Sequence, residues 1–227
     1  MLLNEFDPNP NAIINPEMTV EPIEDFPDVT VSCFSGKLFH KLLEFFEPKK
    51  IAQVKSAVGP NPIYEVIYKG ERFALYQSYV GEPKCIVDYE DIMAMGSKRF
   101  ILLGNCGVLD RNIEDCGIII PTRAIRDEGC SHHYAPPGDQ IEVNRKYREL
   151  FKEVLKEFGR HNMDNRRLLS GNQRKNRTQK GAGRNLCRDG MCGNAGAVRF
   201  SGDRVFPVFL RGRQSGSFRL AAEKFVG

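Results

Sequence analysis

A glycine-containing turn after an apolar segment is the first feature of this sequence that could do chemistry. "GNCG", residues 104–107, directly follows the apolar run "FILL", residues 100–103. Such a run is typical of a strand that is covered on both faces of a sheet. In α/β proteins ligands bind where these strands end, and glycines let backbone N–H groups approach an anion or a sugar. The pattern therefore predicts a binding loop, although a plain tight turn has the same composition.

Two other clusters contain metal-binding side chains but lack the spacing of a metal site. Cys187 and Cys192 bracket the segment "RDGM", and His132 and His133 are neighbours in a polar loop. A structural zinc site needs four ligands, commonly supplied as two pairs, and neither cluster is accompanied by a second pair. We therefore predict no metal and interpret the histidines as a surface-loop pair.

From residue 29 to residue 159 the sequence alternates between strand and helix patterns. Ser35 stands at a helix N-cap, and Gly96 and Gly159 stand where helices end. This alternation around a buried central strand predicts an α/β fold. Strand patterns occupy residues 29–33, 63–68, 72–79, 100–103 and 117–120, and helix patterns occupy residues 36–46, 86–95 and 144–158.

Charge divides the chain into two parts near Gly159. Residues 1–159 hold 18 basic and 25 acidic residues, a net charge of −7. Residues 160–227 hold 15 basic residues, 12 of them arginine, and four acidic ones, a net charge of +11. This tail shows no apolar periodicity, and its single strand-like run, "VFPVFL", is interrupted by Pro207. We therefore expect the tail to be poorly ordered.

Composition and cysteine usage indicate where the protein works. An apolar fraction of 41% and a charged fraction of 27% are ordinary for a soluble globular protein, and no run is long enough for a membrane span. Seven cysteines at irregular spacings, with no secretion signal, suit a reducing compartment. We expect a cytoplasmic protein with no membrane partner.

Three collinear segments resemble the nucleoside phosphorylase family, the uridine and purine nucleoside phosphorylases. They are "IINPEM", "VGEP…YEDIMAMGSKRFILLGNCGVLD" and "IIIPTRAIRDEGCSHHYAPP", and they lie between about residues 13 and 159. The resemblance implies a nucleoside phosphorylase/hydrolase-like fold, which is a twisted mixed central sheet flanked by helices, and a homo-oligomer. It implies a small-molecule nucleoside as substrate, inorganic phosphate as co-substrate and no cofactor.

The resemblance also implies which residues bind the substrates. It places Gly81 at a glycine turn that faces the phosphate, and Gly104 and Asn105 in the loop that contacts it. Cys106 and Gly107 would line the pocket for the sugar and the base. The acid–base and ribose-binding residues of the family would come from the second half of the chain, where the sequence shows none of them, so the catalytic residues stay unknown.

Two departures concern phosphate. Many family members carry a phosphate-binding arginine in the strand before the glycine loop, where this chain has Leu102, and a second in the loop after the first strand, where "CFSGKLFHKL" has none. A phosphate dianion loses its strongest charge-assisted bonds without guanidinium partners. Hydrolysis, as in a nucleosidase, therefore stands as the alternative to phosphorolysis.

The tail matches the missing half of the family when its codons are translated one nucleotide later. Met163-Asp164 then yields a Trp and Met191-Cys192 a Cys, whatever codons are used. With permitted synonymous codons, three segments become "WTTDAFYRET", "CVEMECAAMQ" and "FFQFFYAADNLD", which resemble the base loop, the ribose segment and the last strand. We interpret residues 1–159 as an incomplete phosphorylase-like domain and residues 160–227 as an out-of-frame translation.

The predicted function is phosphorolysis of the N-glycosidic bond of a nucleoside, impaired in this chain. The loop "SHHYAP" favours uridine, whereas the Asp of the shifted "AADNLD" favours a purine nucleoside. A functional basic tail is the alternative from another class, because a charge of +11 attracts nucleic acid. That alternative ranks lower, since the tail has no RGG repeat and few aromatic residues.

Overall fold

The chain alternates strands with helices, as the sequence predicts. The computed structural model describes residues 6–9, 11–106, 118–126 and 128–157, and the strand residues 163–164, 168–169, 185–186 and 205–211. The strands are β1 (Val29–Cys33), β2 (Lys49–Val54), β3 (Asn61–Tyr68), β4 (Glu71–Gln77), β5 (Arg99–Cys106), β6 (Ile118–Ile119), β7 (Arg123–Ile125), β8 (Gln140–Glu142), β9 (Met163–Asp164), β10 (Leu168–Leu169), β11 (Asn185–Leu186) and β12 (Val205–Arg211). The helices are α1 (Gly36–Phe46), α2 (Glu82–Met95) and α3 (Arg145–Glu157), with 3-10 turns at Pro16–Met18 and Cys130–His133.

The strands form a large mixed sheet and a small second one. The large sheet has the order β2-β3-β4-β1-β5-β12-β6-β9, and the small one has the order β11-β10-β7-β8. The four central strands β4, β1, β5 and β12 run parallel to one another. β2, β3 and β4 form an antiparallel meander at one side, and β6 runs antiparallel to β12 at the other. The α/β class with a mixed central sheet is therefore confirmed.

Lys69-Gly70-Glu71, between two strand patterns, predicts a hairpin with glycine in the turn, and this hairpin is present between β3 and β4. Tyr68 pairs with Glu71, so Lys69 and Gly70 form a two-residue turn. Both turn residues have positive φ, +51° and +85°, as a type I′ turn requires. The turn therefore fixes the register that places alternate residues of β4 on opposite faces of the sheet.

Residues at the start of each of the first two helices account for where that helix begins. The Ser35 hydroxyl accepts a hydrogen bond from the Leu38 backbone N–H at 3.3 Å, which caps α1. α2 begins at Glu82, four residues before the predicted start, because Pro83 fits the first turn, where its missing N–H is not needed. Gly96 ends α2 with φ +133°, as predicted.

The central sheet is covered on both faces. Phe73 and Leu75 of β4 pack with α1 in one apolar cluster, and Ala74 and Tyr76 pack with α2 in another. This alternation follows from the two-residue period of a strand. The central strands are therefore buried on both faces, with α1 packed on one face and α2 on the other.

The third helix confirms in part the amphipathic segment that the sequence predicts, whose apolar stripe is Leu150, Phe151, Val154, Leu155 and Phe158. Phe151 is 2% exposed and joins the cluster on the α1 face, as its place in this stripe predicts. Leu150, which belongs to the same stripe, is 46% exposed. None of the described helices has the length and apolar character needed to cross a membrane.

Beyond residue 159 the structure describes four strands. β12 coincides with "VFPVFL", the one run that the sequence indicates as strand-like. It pairs with β5 from Val205 opposite Phe100 to Arg211 opposite Cys106. Pro207 has no N–H to donate to a neighbouring strand. The described pairing of β12 with β6 begins only at Phe209, so the nitrogen of Pro207 can face the β6 side of β12 without breaking a described pair.

Candidate functional site

The carboxyl ends of β4, β1 and β5 lie side by side at one edge of the central sheet. Cys33 at the end of β1 pairs with Gln77 of β4 and with Leu103 of β5. The connection after β1 leads through α1 to β2, whereas the connection after β4 leads through α2 to β5 on the other side of β1. Open α/β sheets bind ligands in the crevice where connections diverge in this way. We define the candidate site as this edge, formed by residues 33–36, 77–82 and 104–106.

Gly81 lies at this edge and requires glycine for conformational reasons. It is the N-cap residue of α2, with φ +119° and ψ 125°, a conformation that side chains rarely tolerate. A Cβ built on Gly81 would meet no heavy atom within 4 Å. The backbone therefore faces open space between β4 and α2, where a ligand has room to approach it. Contact of Gly81 with phosphate stays a prediction.

Gly104, Asn105 and Cys106 also lie at this edge, but as strand rather than loop. The sequence predicts that the strand ends at Leu103, whereas β5 continues through Cys106. The physical reason is β12, whose residues 209–211 pair with these three and provide backbone partners. Because β1 stops opposite Leu103, the extension of β5 projects beyond it toward the crevice. Gly107, the fifth predicted site residue, lies outside the described residues.

The start of α1 contacts the end of β4 at the same edge. A Cβ on Gly36 would lie 3.0 Å from the Gln77 Nε2 atom, so the Gln77 carboxamide lies against the first residue of α1. The Asn61 side chain donates a hydrogen bond of 2.8 Å to the Gln77 carbonyl oxygen and fixes that strand end. This part of the site therefore presents a neutral amide beside a helix N-terminus.

Three buried hydroxyl groups lie beneath the edge, and we call them the hydroxyl ring. The Ser32 and Ser78 hydroxyls hydrogen-bond to each other. The Tyr89 hydroxyl lies 2.8 Å from the Ser32 Oγ and 2.7 Å from the Ser78 Oγ. All three residues are 2% exposed or less. Burial raises the pKa of the Tyr89 phenol well above its usual value, so the phenol keeps its proton.

A buried carboxylate anchors α2 to β4. Asp88 is fully buried, accepts a hydrogen bond of 2.6 Å from the Tyr76 hydroxyl and forms an ion pair with Lys84. The Lys84 ammonium also lies 5.4 Å from the centre of the Tyr79 ring. Burial, and then the hydrogen bond to Asp88, raise the pKa of Tyr76. The cation nearest Gly81 in sequence is thus engaged within the protein.

The polar loop after β7 is organised around Arg126. Its guanidinium donates to the Ser131 hydroxyl at 2.9 Å and to the Ala135 carbonyl at 3.1 Å, and it also contacts the Pro136 carbonyl. Glu128 accepts hydrogen bonds from the Ser131 backbone N–H and hydroxyl. Arg126 and Glu128 therefore tie together the described loop residues 128–136.

Two residues of this loop, Tyr134 and Cys130, lie near Glu90 of α2. Tyr134 hydrogen-bonds to Glu90, whose pKa is raised because burial outweighs that bond. Burial, and then the charges of Glu128, Glu82 and Glu90, raise the pKa of the Cys130 thiol to about 11. Cys130 is therefore a thiol at neutral pH. Glu128 of the loop and Glu82 and Glu90 of α2 all lie near this thiol.

Neither position expected to carry a phosphate-binding arginine offers a guanidinium group. Leu102 is 1% exposed and packs in the apolar cluster on the α2 face with Tyr89 and Phe100. The turn after β1 contains Ser35 and Gly36 before the exposed Lys37.

The histidine pair lies in the 3-10 turn Cys130–His133, with His133 exposed and His132 half-buried. Among the residues that the structure describes, no group of three or more His, Cys, Asp or Glu side chains is arranged to hold a metal ion. Cys187 and Cys192, the other candidate cluster, lie outside the described residues.

Sequence reasoning missed the hydroxyl ring and the contact between Glu90 and Tyr134. A signal for the ring exists in "VTVSC", where Thr30 and Ser32 are polar at alternate positions of an otherwise apolar strand. Alternation of this kind normally indicates an exposed face. Here it indicates buried hydrogen bonds, which the sequence cannot distinguish because the partners come from distant elements.

Comparison with known families identifies the class to which this fold and edge belong. The sequence profile of the phosphorylase superfamily matches residues 28–197, about three quarters of the chain. The chain therefore belongs to the phosphorylase superfamily. The match continues past Gly159, beyond the end of the resemblance found in the sequence analysis.

Individual relatives match over shorter segments. The uridine phosphorylase of Haemophilus influenzae is 27% identical over 67 residues, 30% of this chain and 27% of that protein. The uridine phosphorylase of Thermococcus kodakarensis is 33% identical over 67 residues, 30% of this chain and 24% of that protein. The guanosine phosphorylase of Halorubrum lacusprofundi is 26% identical over 80 residues, 34% of this chain and 33% of that protein. The matches thus span about a quarter to a third of these relatives.

Solved structures match over most of the chain. The purine nucleoside phosphorylase of Toxoplasma gondii, in complex with immucillin-H, has a TM-score of 0.71 at 14% identity and covers 90% of both chains. The AMP nucleosidase of Bacteroides thetaiotaomicron has a TM-score of 0.71 at 15% identity, covering 88% of this chain and 87% of that one. Helicobacter pylori MTAN has a TM-score of 0.65 at 14% identity, covering 86% and 92%. These likenesses establish the fold and leave the reaction open.

Proposed function

We propose that the candidate site is built for phosphorolysis of the N-glycosidic bond of a nucleoside, uridine or a purine nucleoside. The observation that carries the proposal is the convergence of Gly81, in a glycine-only conformation facing open space, with the projecting end of β5. This convergence occurs at the crevice of a chain that belongs to the phosphorylase superfamily. Similarity to uridine and guanosine phosphorylases supports the substrate class.

In the proposed reaction an oxygen of inorganic phosphate attacks the anomeric carbon of the sugar. The bond from that carbon to the base nitrogen breaks, and the base leaves with the electron pair and takes up a proton. The transition state carries positive charge on the sugar, as in glycoside hydrolysis. Fixed dipoles and an adjacent anion stabilise such a state. We assign backbone groups of Gly81, Gly104 and Asn105 to phosphate, and Cys106 and Gly107 to the sugar and base.

Hydrolysis is the second candidate, and a specific observation favours it. The buried Leu102 and the arginine-free turn after β1 supply no guanidinium at the two positions where the resemblance places phosphate-binding arginines. Water needs no such partners, because it carries no charge to neutralise. The likeness to the AMP nucleosidase of Bacteroides thetaiotaomicron is compatible with either reaction on this fold.

We further propose that residues 160–227 are an out-of-frame translation and that activity is low for that reason. The family's ribose-binding and acid–base residues belong to this part of the chain, and the tail as translated lacks them. Without them the transition state loses much of its charge stabilisation. The site would then keep its phosphate-facing edge and lose its ribose-facing one.

Release of free base decides between these possibilities. The chain and a variant with residues 160–227 restored to the shifted frame are incubated with uridine and with inosine, each with and without inorganic phosphate. We expect little or no base from the chain and phosphate-dependent release from the restored variant. Release from the restored variant without phosphate would establish the hydrolytic alternative. Phosphorolysis by the unaltered chain at the rate of the restored variant would contradict the out-of-frame proposal.

A further inference from the structure

The hydroxyl ring of Ser32, Ser78 and Tyr89 satisfies its own hydrogen bonds. Each hydroxyl has one proton to donate and can accept from a neighbour, so three hydroxyls in mutual contact can each donate once and accept once around the ring. The distances of 2.8 and 2.7 Å from the Tyr89 oxygen are those of well-formed O–H···O bonds. The Cys85 thiol lies 3.9 Å from the Ser78 Oγ and adds a weak donor. A closed network of this kind favours one arrangement of the groups that carry it.

The ring joins the ends of β1 and β4, which lead into the candidate site, to the middle of α2. Ser32 is the last residue but one of β1, and Ser78 directly follows β4. Tyr89 belongs to α2, whose N-cap is Gly81. The Ser78 backbone N–H also donates to the Cys33 carbonyl at 3.0 Å, which continues the β1–β4 pairing past the end of β4. Beyond the ring the chain makes the turn at residues 34–36 and the turn at residues 79–81.

We infer that the hydroxyl ring is a positioning device, which sets the two turns at residues 34–36 and 79–81 relative to each other. Ser32, Ser78 and Tyr89 are positioning residues, since they are buried and act on the site through the turns that follow them. This inference rests on the proposed function, because it assumes that those turns face the nucleoside and the phosphate or water that attacks it.

A second hydroxyl pair on β1 provides a matched comparison. The Thr30 hydroxyl lies 2.8 Å from the Ser97 hydroxyl, and this pair is buried at the opposite end of β1. Ser97 and Ser78 are each 2% exposed, and each bonds to a hydroxyl of the same strand. Ser97→Ala therefore removes a buried hydroxyl of the same kind far from the candidate site.

Hydrogen exchange of the full chain tests the inference without requiring turnover. Amide exchange in peptides that cover residues 34–37 and 79–82 is measured for the unaltered chain, Ser78→Ala and Ser97→Ala, together with the urea midpoint of each. Loss of the bonds of Ser78 should accelerate exchange in both turns by on the order of tenfold, whereas Ser97→Ala should leave both turns unchanged. Ser78→Thr, which restores the hydroxyl, should return exchange toward that of the unaltered chain. Tyr89→Phe serves as a second ring variant if Ser78→Ala does not fold.

The outcomes separate the ring from the proposed function. Equal acceleration of the turns in Ser78→Ala and Ser97→Ala would mean general destabilisation and would overturn the inference, as would unchanged exchange in Ser78→Ala. Uridine and inorganic phosphate are then titrated into the same proteins. Weaker binding in Ser78→Ala alone supports positioning of the site. If the unaltered chain and the frame-restored variant both fail to bind uridine, the proposed function fails, and the exchange rates still decide the role of the ring.

Discussion

At the scale of the residue, the candidate site depends on backbone conformation more than on charged side chains. Gly81 adopts a φ of +119°, and the positions that would supply arginines are a buried leucine and a serine–glycine turn. Among the described residues the buried charged side chains are Glu82, Asp88 and Arg126. Asp88 bonds to the Tyr76 hydroxyl, and Arg126 bonds to groups of its own loop. Substitutions at single residues should therefore act mainly through conformation and burial.

Gly81→Ala should destabilise the fold and weaken ligand binding. An alanine at φ +119° costs about 1–3 kcal/mol of strain. Gly59→Ala is the matched control, since Gly59 has φ +106° and equally open surroundings but lies in the turn between β2 and β3. Urea unfolding should show a similar loss for both variants, while binding of inorganic phosphate should fall only in Gly81→Ala. Equal binding by the two variants would remove Gly81 from the site.

Glu90→Gln should stabilise the protein at neutral pH. Burial raises the pKa of Glu90 in the folded state, so stability is lost as pH rises through that value and the carboxylate must ionise in place. A glutamine avoids this cost and can still accept a hydrogen bond from Tyr134. Unfolding free energies at pH 7 and pH 4 should show a gain that shrinks at the lower pH. Glu44→Gln, on an exposed position of α1, serves as the control. A gain that does not depend on pH would contradict the mechanism.

At the scale of the element, α2 is held by polar contacts at three consecutive residues in its middle. Asp88 bonds to Tyr76 of β4, Tyr89 bonds to the two serines of the hydroxyl ring, and Glu90 bonds to Tyr134 of the loop after β7. Apolar packing of residues such as Ile92 supplies the rest. Because Gly81 caps this helix, the placement of α2 determines where the candidate site lies.

Asp88→Ala should detach α2 from β4. The substitution leaves the Tyr76 hydroxyl and the part-buried Lys84 ammonium without their carboxylate. Breaking a buried pair by removing one partner costs about 3–5 kcal/mol. Asp28→Ala breaks an exposed pair with Lys98 and should cost about 0–1 kcal/mol. Urea denaturation measures both, and equal losses would show that Asp88 does not anchor the helix.

The three helices and about half of the described strands were predictable, whereas the polar contacts between the elements were not. Ser35, Gly70 and Gly96 are local signals, because a cap or a turn is decided by a few adjacent residues, and the structure confirms each of them. The extension of β5 through Cys106 depends on β12, about a hundred residues later in the chain. The hydroxyl ring likewise unites residues up to 57 positions apart, which no periodicity of one segment reveals.

At the scale of the whole molecule, the chain joins two parts of opposite charge. The first part, with a net charge of −7, supplies all the described elements up to α3. The second part, with a net charge of +11, supplies β12, which lies beside β5, and three two-residue strands. The family match crosses this boundary and reaches residue 197. The out-of-frame proposal stays a prediction, and the codons of the gene decide it.

The nucleotide sequence of the gene tests this central proposal most directly. Resequencing the region around codons 155–165, and reading codons 160–227 one nucleotide later, should give an open frame. That frame should encode "WTTDAFYRET", "CVEMECAAMQ" and "FFQFFYAADNLD" in this order. Stop codons throughout the shifted frame, or codons that do not encode these segments, would contradict the proposal and establish the basic tail as a genuine part of the protein.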